Sequence, residues 1–132
     1  ERGPAAAGSD AHVWGVEPIG APKLHRSLAA GEVVRLDHTG SIADGLITLN
    51  VGNIPFAELT RERERIRGVA LVEDDSIRAA MQFLWRNCRL AVEPSGAATT
   101  AALRDGLVPR GKTTVLVVSG GNVDPSLLEA KD

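Results

Sequence analysis

The sequence predicts an α/β fold, a parallel sheet flanked by helices. Three observations predict it. The run Thr113-Thr-Val-Leu-Val-Val118 is built of apolar or β-branched residues. A segment apolar on both faces reads as a central strand of a parallel sheet. Short apolar runs alternate with helix-periodic stretches, the pattern of strands joined by crossover helices. The core stock is Val, Leu, Ile and Ala with only two Trp and two Phe, which suits tightly packed α/β layers.

In chain order, residues 1–10 are rich in Gly, Ala and Pro and read as a loop or the end of an upstream helix. His12 to Glu17 is a short strand stopped by Pro18. Pro22 to Ala30 carries Leu24, Leu28 and Ala29 at helical spacing, and Gly31 is a natural C-terminal stop. Glu32 to Leu36 is a second short strand. Ile42 to Ile47 is either a turn or the start of a short helix. Asn53 as cap and Pro55 in the first turn open a helix from Phe56 to Arg67. Its Arg61–Arg65 run alternates in sign, so the glutamates cancel the field and a solvated helix face is expected. Gly68 to Val72 is a further strand.

Asp74 or Asp75 is expected to cap the next helix. There Ile77, Ala80, Met81, Leu84 and Cys88 form one apolar stripe. Cys88 on that stripe reads as a small core residue, not a nucleophile. Leu90 to Glu93 is a strand stopped by Pro94. Ser95 is expected to cap an Ala/Thr-rich helix from Gly96 to about Asp105, with Gly106 as its stop. The apolar run at 113–118 then ends in Ser119-Gly-Gly-Asn122.

Composition removes several functions. The chain has 132 residues, enough for one domain with a core but not two. Its net charge of −2 provides no field to collect nucleic acid or an anionic membrane. No stretch approaches the ~20 apolar residues of a membrane span. The single cysteine excludes an internal disulfide and suits a reducing compartment, so a cytoplasmic location is expected. His12, His25 and His38 lie far apart with no i, i+4 pair, which argues against zinc. Neither a nucleophile-elbow motif nor a Walker-type loop appears.

Two strand ends remain. Ser119-Gly-Gly-Asn122 is either a plain strand-to-loop turn or a hydroxyl aimed at a ligand, since ligands of open α/β sheets gather at the carboxyl ends of strands. Val92-Glu-Pro-Ser-Gly-Ala97 places a carboxylate where a strand leads into a helix N-terminus, whose free N–H groups can hold an anion. One helix separates the two motifs, as in neighbouring strands of a βαβ unit. They support two readings: an enzyme site, or a non-catalytic α/β module that binds an anion.

Five ordered pieces extend the pattern: Val13-Trp-Gly-Val-Glu-Pro18 with Ala21, Ser27-Leu-Ala-Ala-Gly31, Ser41-Ile-Ala-Asp-Gly45, Val92-Glu-Pro-Ser-Gly-Ala97 and Val118-Ser-Gly-Gly-Asn-Val-Asp124. With them the chain resembles the C-terminal part of the serine/threonine dehydratases (threonine ammonia-lyases and the related serine racemases). These are pyridoxal-phosphate enzymes of the tryptophan-synthase-β-like fold, fold type II. The resemblance implies that residues 1–132 are the C-terminal portion of the large, cofactor-binding domain and that pyridoxal 5'-phosphate is the cofactor. It implies a lyase that removes water from L-threonine, L-serine or a similar β-hydroxy amino acid, or a serine racemase-type isomerase, working as a homodimer on a small amino-acid substrate.

Residue by residue, Ser119 matches the serine that hydrogen-bonds the pyridine nitrogen, Gly120 follows it, Glu93 matches a glutamate near the ring, and Gly45 lies in a loop lining the cofactor pocket. Glu17 and Ala21 match two members of a metal site found in part of the family. The third position holds Lys23 instead of an acid, which argues against a divalent ion and suggests that the ammonium pairs with Glu17. The family's Schiff-base lysine lies in a Ser-x-Lys-type motif, and Lys23, Lys112 and Lys131 all lack that context. No catalytic residue is therefore expected in this chain, and the chain alone is expected to be inactive.

Overall fold

The computed structural model describes residues 11–128. The expectation for residues 1–10 lies outside them. Two parallel strands form the sheet, β1 (Val13–Pro18) and β2 (Ile66–Val72), in register from Trp14 opposite Gly68 to Pro18 opposite Val72. A side chain at 68 would press on the Trp14 ring, so glycine lets the indole lie across the neighbouring strand. Between the strands run α1 (Lys23–Ala30), a single turn at Asp44–Leu46, and α2 (Asn53–Arg61). After β2 come α3 (Asp74–Phe83), α4 (Pro94–Arg104) and a last turn at Pro125–Leu127. That turn is opened by Asp124, whose carboxylate accepts the Ser126 N–H, a hydrogen bond that holds its pKa below the ordinary carboxylate value.

The core lies where α3 and α4 pack on each other and on the sheet. Ile77, Ala80 and Met81 of α3 meet the alanines 97, 98, 101 and 102 of α4, all nearly or fully buried. Alanine on one face lets the two helix backbones approach closely, as the Ala/Thr composition predicts. α4 closes with a Schellman pairing: Leu107 N–H to the Ala102 carbonyl and Gly106 N–H to the Leu103 carbonyl, with Gly106 at φ +71°. Gly31 ends α1 in the same left-handed region, as expected.

Several expectations are corrected. Residues 113–118 form no strand and have no ladder partner among the described residues; Val115 is 82% and Val117 70% exposed. An apolar run becomes a strand only where a neighbour supplies the ladder. Here this run lies along α4, held by the Thr99 hydroxyl on the Val117 carbonyl at 2.9 Å. The segments at 32–36 and 90–93 are likewise irregular. Asn53 is the first residue of α2 and makes no cap; Gly52 holds that position, and the helix ends at Arg61. The Arg61–Arg65 run is therefore mostly a turn, with the local pairs Arg61–Glu58 and Arg65–Glu62 on its surface.

Asp74 makes no side-chain cap for α3. Its carboxylate accepts the Ser41 hydroxyl and the Ile42 N–H, drawing the 41–45 loop onto the end of β2. Cys88 is exposed, not core. From Leu84 to Cys88 the helix widens to a π turn, which rotates the stripe away from the interior after Leu84, and Arg89 ends it with a positive φ.

Candidate cofactor site

Three segments meet at the start of α4. The helix begins at Pro94, the first helical position, where a missing N–H costs nothing. Glu93 is thereby the capping residue, and its carbonyl accepts the N–H groups of Gly96 and Ala97. The Glu93 N–H in turn donates to the Gly120 carbonyl at 3.1 Å. That single bond preserves the side-by-side arrangement of the two strand ends expected from the sequence. Gly45 completes the corner, its N–H donating to the Ser95 hydroxyl at 2.9 Å.

Glycine is required at two of these points. A Cβ at Gly96 would collide with the Ser119 carbonyl, and one at Gly120 would run into the Glu93 carboxylate; Gly120 also has φ +80°. The backbone of 119–120 is thus seated directly on the first turn of α4. Ser119 and Gly120 are exposed and Glu93 is half-buried. Among the described residues neither the Ser119 hydroxyl nor the Glu93 carboxylate has a hydrogen-bond or ion-pair partner. An open hydroxyl, an uncommitted carboxylate and glycines bare of side chain at 45 and 120 suit a flat heteroaromatic ring with a nitrogen to be bonded. They suit an anion poorly. Pro94 offers no N–H, those of Gly96 and Ala97 are spent on the Glu93 carbonyl, only the Ser95 N–H of the first turn is left, and the Glu93 carboxylate repels negative charge.

A second carboxylate, Glu17 at the end of β1, is nine-tenths buried and fully engaged. Its Oε1 accepts the Leu24 N–H at 2.9 Å and the Lys23 ammonium at 3.2 Å, and its Oε2 accepts the His25 N–H at 3.0 Å. It acts as a remote cap for the first turn of α1, whose own capping residue, Pro22, supplies no side-chain bond. The Ala21 carbonyl accepts the Lys23 backbone N–H at 2.9 Å.

Of the residues the resemblance points to, Ser119, Gly120 and Glu93 meet at the start of α4, and Gly45 is held beside them through Ser95. The expectation for Ser95 is corrected. As the second residue of α4, Ser95 holds Gly45 instead of capping the helix. Pro94 is the signal, because proline at the first helical position moves the cap to Glu93. The bond from Asp74 to the Ser41 loop is not legible, since nothing in the spacing links residues that far apart.

A parallel pair of strands covered by helices, with a serine, a carboxylate and glycines gathered at the start of α4, defines the class as an α/β unit with a candidate cofactor corner. The chain belongs to the pyridoxal-phosphate dependent enzyme family, which matches residues 2–120. A biosynthetic L-threonine dehydratase from Mycobacterium leprae is 38% identical over 112 residues, 85% of this chain and 26% of that protein. The serine racemase of Dictyostelium discoideum is 39% identical over 121 residues, 86% of this chain and 36% of that protein. Among solved structures, the T.th. threonine deaminase superposes with a TM-score of 0.78 at 37% identity, covering 86% of this chain and 40% of that one. The chain thus spans well under half the length of the relatives it matches.

Proposed function

We propose that residues 1–132 are the C-terminal portion of the cofactor-binding domain of a pyridoxal-phosphate-dependent dehydratase. Its substrate would be L-threonine, L-serine or a similar β-hydroxy amino acid. Loss of water gives an enamine, whose hydrolysis releases a 2-oxo acid and ammonia. The observation that carries this reading is the corner built from Glu93, Ser119, Gly120 and Gly45, where backbone packing excludes side chains and leaves one hydroxyl and one carboxylate uncommitted.

When bound, the cofactor supplies an electron sink for bonds at the amino acid's α-carbon. This chain's residues hold and tune it. Ser119 would hydrogen-bond the ring nitrogen. A hydroxyl cannot protonate that nitrogen as an aspartate would, so the ring stays a weaker sink, which suits β-elimination over transamination. Glu93 would stand beside the ring, with Gly120 and Gly45 giving it close approach. Lys23 is committed to Glu17 and to the Leu46 carbonyl, so it is not available as the amine that anchors the cofactor. That lysine would lie outside these residues, and the chain alone would be inactive. A racemase-type reaction is the second reading, favoured by the identity with the Dictyostelium discoideum serine racemase.

The family resemblance supports a homodimer, and the lone exposed Cys88 with no possible internal disulfide suits the cytoplasm. No helix among the described residues is long and apolar enough to cross a membrane. The test is direct. The full-length protein, loaded with pyridoxal phosphate, should turn L-threonine or L-serine into a 2-oxo acid and ammonia. Formation of a D-amino acid without 2-oxo acid would select the racemase reading, and formation of neither would overturn both.

A further inference from the structure

The buried Lys23 lies outside the cofactor corner yet is wired to it. Its side chain is 12% exposed and that of Glu17 5%, so the pair sits almost wholly out of water. A buried ammonium persists only when paired and hydrogen-bonded. Lys23 has both: the Glu17 carboxylate at 3.2 Å and the Leu46 carbonyl at 2.8 Å. Leu46 closes the Asp44–Leu46 turn, and the neighbouring Gly45 N–H is bound by Ser95 at the start of α4. One ammonium therefore joins the end of β1, the first turn of α1 and the turn that carries Gly45.

The residues present do not fit the divalent ion that the resemblance attaches to Glu17 and Ala21. Calcium requires six to eight oxygens and magnesium a near-octahedral set. Here the third position supplies no oxygen, and the Lys23 ammonium stands 3.2 Å from the Glu17 carboxylate, filling the cation's place and repelling one.

We infer that Lys23 is a built-in cation, a positioning residue that takes the place of a metal and fastens the Gly45 turn against the start of α4 with no dependence on divalent ions. The link from that turn to cofactor binding rests on the function proposed above; the strap itself does not.

The test uses the full-length protein as wild type, Lys23→Met and Lys23→Asp, each melted in chelator and in millimolar magnesium or calcium, with pyridoxal-phosphate affinity as a second readout. The wild-type melting temperature and affinity should not differ between chelator and metal. Lys23→Met should melt lower by at least about 2 °C and bind pyridoxal phosphate more weakly, and metal should restore neither. Lys23→Asp adds an oxygen ligand beside Glu17 and removes the fixed charge. It should be weak in chelator and recover in magnesium or calcium, a rescue that loss of packing alone would not allow. A wild-type protein stabilised by magnesium or calcium would overturn the inference. So would a Lys23→Met protein matching wild type in both readouts, or a folded Lys23→Asp protein that gains nothing from metal. Should Lys23→Asp not fold, the wild-type and Lys23→Met pair decides. Melting involves no turnover, so this result is separable from failure of the proposed reaction.

Discussion

Glu17 and Glu93 occupy equivalent places in the chain. Each directly precedes a proline and leads towards a helix N-terminus, Glu17 from within β1 and Glu93 from an irregular segment. Their surroundings differ completely. Glu17 is buried, with both oxygens taken up by the first turn of α1 and by Lys23. Glu93 is half-buried, uses its backbone to start α4, and leaves its carboxylate against Gly120 without a polar partner. One residue type thus becomes structure at the end of β1 and an uncommitted carboxylate at the start of α4. A nearby cation and two inward-facing N–H groups saturate the first. At the second, a proline without an N–H and a glycine without a side chain leave the carboxylate free.

The comparison breaks most visibly at Glu17. Glu17→Gln leaves the Lys23 ammonium buried beside a neutral amide, and should cost about 3 kcal/mol of stability in chemical denaturation of the full-length protein. A smaller effect is expected of Gly96→Ala. Its methyl group must push the Ser119 backbone off α4, costing about 1–3 kcal/mol and weakening pyridoxal-phosphate binding, measured by titration of the full-length protein. Glu93→Gln should stay within about 0.5 kcal/mol of wild type in stability while altering cofactor binding. Equal stability losses at positions 17 and 93 would erase the distinction.

Much of this is legible in the sequence, and the limits have physical causes. Gly31 and Gly106 read correctly as helix stops because a left-handed residue is a local requirement. The stripe Ile77–Leu84 reads correctly because burial follows helical period. Cys88 does not, since a π turn changes that period without any residue announcing it. The run at 113–118 has a strand's composition, but a strand is a pairwise object, and the described residues offer it a helix on one side and solvent on the other. At the candidate site, motif and order point to four residues, and the fold sets three of them against the start of α4 with the fourth, Gly45, held there by Ser95. The Ser95–Gly45 and Asp74–Ser41 bonds join distant segments and appear only once the chain is folded.

The central claim is that the corner at Glu93 and Ser119 is the cofactor wall. Ser119→Ala tests it most directly, because the hydroxyl is exposed and makes no hydrogen bond to the described residues. In the full-length protein, titration with pyridoxal phosphate should show binding weakened by about 1–3 kcal/mol, with the melting temperature of the cofactor-free protein unchanged. Unchanged affinity, or a loss of stability without any loss of affinity, would contradict it.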